Sequence, residues 1–257
     1  MEDESLPDSK PDGADPWVSL RAFTDARIAL GHAGVSEPLK PSLQFKLAHA
    51  HARDAVFSEL NTSELIHALE TKFALPVYLL KSQVINRQEY LQRPDWGRKL
   101  NLESLQQLTK LAAPVADIAL ILADGLSAEA INVNALPLLQ VLIPGLRAAG
   151  ISLSPVTVVQ QARVAISDEI GAALNAKVAL ILIGERPGLS SPDSMGAYFT
   201  YQPQPGLTDE SRNCLSNIRP AGLTYAVAAE KLLYLIKESL RLQLSGFRLK
   251  DTENLLL

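Results

Sequence analysis

Cysteine is nearly absent from this chain: Cys214 is the single one in 257 residues. That excludes an internal disulfide and a zinc site built from several cysteines. Aromatic residues make up only 5%, so aliphatic residues and alanine must carry the core. Histidine is scarce as well. The four histidines, His32, His49, His51 and His67, all lie in the amino-terminal third, and no H-E-x-x-H occurs. His49 and His51 stand two apart, which points them in different directions on a helix, so they read as solvated or packed side chains rather than metal ligands. No two glycines stand two residues apart, which removes the dinucleotide fingerprint G-x-G-x-x-G. Gly145 and Gly150 have P-loop spacing, but Ile151-Ser152 follows where a lysine is required, so this reads as a helix end. Neither sign of charge dominates: the net charge is −4 with no basic block, which argues against a nucleic-acid surface. No apolar run reaches the roughly 20 residues of a membrane span. The acidic amino terminus lacks the apolar stretch of a secretory signal, and the cytoplasm is the compartment expected.

What is present is a globular composition, 47% hydrophobic and 20% charged, in a length suited to one or two domains. Met1 to Asp15 is rich in Asp, Ser and Pro and reads as a disordered tail, 1–16. Helical spacing follows from Pro41 to Leu60, with Ser42 as its expected N-cap, and again from Leu65 to Phe73 behind Asn61-Thr-Ser-Glu64. Pro76 to Leu80 is a short strand candidate. Tyr90 to Arg98 is marked as irregular by Pro94 and Gly97, and Asn101 to Ala113 is helical. From Val115 the pattern changes to strand 117–123, helices 126–134 and 137–149, strand 156–160, helix 166–175 and strand 178–184. A loop, 186–220, follows with a strand at Tyr198–Tyr201, and then a helix over 223–244. Pro137 is expected to open a helix and Gly150 to end it. Alternation of strands and helices predicts an α/β fold: a Rossmann-like, doubly wound parallel sheet over 115–247, behind a mainly helical region over 17–114.

The most informative segment is Gly184-Glu185-Arg186-Pro187-Gly188, directly after an apolar strand. It presents one carboxylate at the carboxyl edge of the sheet, where ligands of open α/β sheets sit. Asp124-Gly125 after the strand 117–123 has the same shape, which suggests one shared crevice. The alternative is that both acids only cap turns or helices. Ser127 reads as a helix cap, because the G-x-S-x-G of a nucleophile elbow is missing. Cys214 has no histidine near it in sequence and reads as a small packed side chain. No catalytic machinery is recognisable.

Five motifs occur in order: Tyr90-Leu-Gln-Arg93-Pro-Asp95-Trp-Gly97-Arg98, Asp124-Gly-Leu-Ser-Ala128, Arg163-Val-Ala-Ile-Ser-Asp168-Glu-Ile-Gly171, Gly184-Glu-Arg-Pro-Gly188-Leu189 and Cys214-Leu-Ser-Asn-Ile218. With them the chain resembles the small (light) subunit of ethanolamine ammonia-lyase, from about Ala26 to Gly246. The resemblance implies an adenosylcobalamin-dependent lyase that converts ethanolamine to acetaldehyde and ammonia. It implies a catalytic large TIM-barrel subunit as partner, in a hexamer of heterodimers. This chain would be the non-catalytic subunit that covers the cobalamin at the interface. Cofactor contacts would fall on Val164, Glu185 and Cys214, with no catalytic residue or metal ligand of its own. Leu215 stands where isoleucine is often found. No Asp-x-His occurs, so the cofactor is expected to keep its own base on cobalt. Members housed in a bacterial microcompartment carry an amphipathic extension. Met1 to Asp15 is not one, so that address is not expected of this segment. Two other readings compete, a stand-alone nucleotide-binding α/β protein and a purely structural subunit. Absorbance after cobalamin addition, with and without the large subunit, separates them.

Overall fold

The structure is a computed structural model that describes residues 17–24, 26–32 and 34–251. The expected tail, 1–16, lies outside the described residues. The chain divides into two compact units, Met1–His51 and Ala52–Leu257, and the division falls inside helix α1, Leu39–Phe57. In the first unit, a 3-10 turn, Val18–Phe23, is tied down by Arg21, whose guanidinium donates to the carbonyls of Ile28 and Ala29. α1 starts ahead of the expected cap Ser42, because Pro41 fits a first turn whose N–H groups have no intrahelical partner. Its mixed apolar spacing builds no single face: Leu43, Phe45 and Leu47 are all exposed.

The second unit is built on a six-stranded sheet. Its strands are β1 (Val77–Lys81), β2 (Ala116–Ala123), β3 (Val156–Gln160), β4 (Ala176–Gly184), β5 (Met195–Tyr201) and β6 (Arg212–Ile218), in the order β1-β3-β2-β4-β5-β6. β1 comes from the stretch expected to be mainly helical and pairs with β3 as an edge. The expected all-parallel sheet needs correction. β1, β3, β2 and β4 are parallel, whereas β4–β5 and β5–β6 are antiparallel. The reason lies in the connections. A parallel return needs a crossover, usually a helix. The segments 185–194 and 202–211 hold only one 3-10 turn, Asp209–Ser211.

Strand alternation distributes the core over both faces. On β2, Ile118, Leu120 and Leu122 pack with helices α2 (Thr62–Phe73), α5 (Ala128–Ala148) and α7 (Tyr225–Leu242). Ala119, Ile121 and Ala123 pack against α4 (Leu102–Leu111) and α6 (Ile166–Ala173) on the other face. α5 is one helix, not two, and runs through both Pro137 and Pro144. An interior proline costs about 3 kcal/mol. Leu138, Leu139, Leu142, Ile143 and Leu146 are buried along α5 and each contributes about 1.5–3 kcal/mol, which offsets that cost. α5 is also long and apolar enough to cross a membrane, but here it is a core helix lying on the sheet and on α7.

Between β5 and β6 the pairing slips. Met195 opposes Ile218 and Ala197 opposes Leu215, so β6 carries one extra residue there. Asn217, with φ +60°, lies in this bulge.

Candidate functional site

The parallel strands end on one side in the loops after β2, β3 and β4. Asp124, at the end of β2, is buried. Its carboxylate accepts the backbone N–H of Gly125 at 2.9 Å, Gln161 at 2.7 Å and Ala162 at 3.0 Å. Burial pushes this carboxyl upward, while the N–H groups of Ala162 and Gln161 and the nearby Arg87 pull it back. Asp124 therefore ties the loop after β3 to the end of β2, and its role is structural. Gly125 (φ +57°) sits so close to the Gly184 carbonyl that a Cβ would strike it. The N–H of Leu126 donates to that carbonyl at 2.9 Å.

Glu185 joins three strand ends. Its N–H donates to the Ser194 carbonyl at 2.9 Å. Its carboxylate accepts from the hydroxyls of Ser194 and Ser216, both at 2.5 Å, and from the N–H of Asn217 at 3.1 Å. The bulge in β6 brings Ser216 and Asn217 to the same carboxylate. Val164 is half-buried in the turn between β3 and α6, where its carbonyl accepts from the N–H and the hydroxyl of Ser167. Cys214 lies opposite Tyr198 across the β5–β6 pair, and both line one cavity. Cys214 is exposed as a residue, but the protein around the sulfur excludes enough water to push the thiol up. The Tyr198 hydroxyl pulls it partly back, and Glu185 pushes it up further. Burial pushes the Tyr198 phenol up as well.

These residues meet at two adjoining cavities. One, of about 340 Å³, is lined by Arg98, Arg163, Val164, Tyr198, Arg212 and Cys214, among others. The next, of about 420 Å³, is lined by Tyr90, Leu126, Arg163, Val164, Glu185 and Tyr198, among others. Val164, Glu185 and Cys214 are thus brought together, with Arg163, Val164 and Tyr198 as the common wall.

Sequence reasoning missed the supports. Tyr90, expected in an irregular loop, lies in helix α3 (Arg87–Gln92) and is fully buried. Its ring is sandwiched between the guanidinium groups of Arg87 at 4.6 Å and Arg163 at 4.5 Å. Its hydroxyl donates to the Ala162 carbonyl at 2.8 Å. Arg163 in turn donates its backbone N–H to Gly97 at 2.7 Å. The Arg163 side-chain Nε is buried without a hydrogen-bond partner, so the ring face is its compensating contact. Arg212 and Asp168 form a buried ion pair at 2.6 Å that anchors β6 to α6 beneath the first cavity. The sequence signal for Tyr198 is the strand Tyr198–Tyr201, and nothing in the sequence places its side chain at a cavity.

The family model for ethanolamine ammonia-lyase light chains (EutC) matches residues 14–250. The chain belongs to the ethanolamine ammonia-lyase light chain family. Among its relatives, an ethanolamine ammonia-lyase small subunit from Azotobacter vinelandii is 51% identical over 249 residues, covering 96% of this chain and 92% of the relative. One from Ralstonia nicotianae is 53% identical over 239 residues, covering 92% and 88%. One from Pseudomonas aeruginosa is 50% identical over 254 residues, covering 98% and 92%. The ethanolamine ammonia-lyase light chain match spans every strand of the sheet and every residue of the two cavities.

Proposed function

We propose that this chain forms one wall of the adenosylcobalamin site of ethanolamine ammonia-lyase, the enzyme that converts ethanolamine to acetaldehyde and ammonia. One observation carries the reading: Val164, Glu185 and Cys214, distant in sequence, line adjoining cavities with a common wall. The donor set fits a corrin rimmed with amide arms. Glu185 Oε1 accepts one hydrogen bond, from Ser216, and has capacity for an amide N–H. The guanidinium groups of Arg98 and Arg163 line the cavities and suit amide carbonyls, and Val164 offers apolar contact. When bound, the cofactor supplies the radical chemistry. Cys214 and Tyr198, made weaker acids by burial, stay protonated at neutral pH, which supports a binding rather than an acid–base role.

Cavities of about 340 and 420 Å³ are too small to enclose a corrin with its nucleotide arm. They suit one side of it, with a second chain over the other. The name small subunit, borne by the relatives, supports a large partner. That partner is taken to be the TIM-barrel subunit that holds ethanolamine, with six such pairs in the enzyme. The parallel half of the sheet is the Rossmann-like part of this reading.

The test is equilibrium dialysis of cyanocobalamin against the assembled complex carrying Glu185→Ala or Glu185→Gln. Loss of a charged acceptor is expected to cost about 1.5–3 kcal/mol in the alanine variant, roughly tenfold or more in affinity, and less in the glutamine variant. Unchanged binding in a normally assembled, normally melting Glu185→Ala complex would sink the assignment.

A further inference from the structure

We propose that Tyr198 is a further cofactor-contacting residue of this wall, one that reaches the ligand with its hydroxyl. The inference rests on the function proposed above and extends it to a residue outside the three assigned there. Tyr198 stands at the middle of the site. On β5 it opposes Ile181 of β4 and Cys214 of β6, and it lines both cavities. Its neighbours Ala197 and Phe199 point into the core and are buried, whereas Tyr198 is only half-buried. Part of its ring packs on the cluster beneath the site and part is left to the cavities, in contrast to Tyr90, which is fully enclosed with its hydroxyl held by a carbonyl.

Two features show that the space around Tyr198 is built. The first is Gly196, whose backbone does not lie in the left-handed region and so does not itself demand glycine. A Cβ there would come within 2.8 Å of Glu185 Oε1 and 2.9 Å of Tyr198 Cε2. The bare Cα therefore lets the Glu185 carboxylate and the Tyr198 ring share one side of β5. The second is what stands across from it. Cys214 is its partner on β6 and lines the same cavity, and a thiol is a weak acceptor, so an amide carbonyl of a ligand is a stronger partner for the phenol.

The experiment uses the assembled complex and equilibrium dialysis of cyanocobalamin, with Tyr198→Phe, Tyr198→Ala and Glu185→Ala side by side and thermal melting of each. Tyr198→Phe keeps the ring and its packing, so a purely structural role would leave it indistinguishable from the unmodified complex. We expect Tyr198→Phe to bind about fivefold more weakly, the worth of one neutral hydrogen bond, and Tyr198→Ala more than about tenfold more weakly. Unchanged binding by Tyr198→Phe beside weakened Glu185→Ala would overturn the role of Tyr198 alone. Unchanged binding by all three would overturn it together with the proposed site. Weakened Tyr198→Phe beside unchanged Glu185→Ala would support Tyr198 and remove Glu185 from the wall. If Tyr198→Ala fails to assemble, Tyr198→Phe decides.

Discussion

The carboxylate of Asp124 is buried and engaged by three backbone N–H groups. Asparagine is nearly the same size, but its amide nitrogen cannot accept. In Asp124→Asn, Oδ1 can keep Gly125 and Ala162, while the Gln161 N–H then faces an NH₂ group. We expect a loss of about 1–3 kcal/mol, read as a lower urea midpoint at unchanged slope. Cys214 offers a second residue-scale test, because it is the only thiol. Burial favours its neutral form, and the Tyr198 hydroxyl favours the thiolate. The pH midpoint of its alkylation by iodoacetamide should therefore lie above that of an ordinary cysteine. In Tyr198→Phe the midpoint should rise further, and a fall would contradict that influence of the hydroxyl.

At the scale of elements, β6 hangs on the buried pair of Arg212 and Asp168. Arg212→Met leaves a buried carboxylate without its cation, and we expect a cost of about 3–5 kcal/mol. The double variant Arg212→Met/Asp168→Leu should recover much of it. pH gives a second readout. Burial already pushes Asp168 up, and loss of Arg212 removes what pulls it back. Its folded-state value then stands well above the unfolded value of about 3.9. Between those two values the folded form holds more protons, so Arg212→Met should regain stability as pH falls through that window. This dependence explains why β6 was not legible in the sequence. Arg-Asn-Cys-Leu-Ser-Asn-Ile has no apolar alternation, and its arginine is buried only because of an aspartate on α6. β3 and β4 were legible because apolar runs, β-branched in β3 and aliphatic in β4, bury both faces in parallel strands. α5 was split in error at Pro137 because local propensity gave way to packing. Of the site, the position of Glu185 at a strand end could be read from pattern. Val164 and Cys214 came from family resemblance alone, and Tyr198 depends on a hairpin whose second strand was unseen.

At the scale of the molecule, both hydrophobic clusters and both cavities lie within the unit Ala52–Leu257. The proposed wall is therefore formed by a single folded unit. On the function proposed above, the purified chain without its large partner should release no acetaldehyde from ethanolamine and adenosylcobalamin. A coupled aldehyde assay checks this, and turnover by the chain alone would contradict it.

The extra residue in β6 has a consequence for the parity of that strand. Leu215 and Ile218 are three apart, yet both belong to the cluster with α5 and α7. In an unbroken pleat, residues an odd number apart face opposite ways. The bulge at Asn217 resets the count. Cys214 and Ser216 are thereby free to face the cavity side while Leu215 before the bulge and Ile218 after it both close the core. Straightening the strand with Asn217 still in place would force a choice between the two: either Ile218 turns out of the core, or Cys214 and Ser216 turn away from Tyr198 and Glu185.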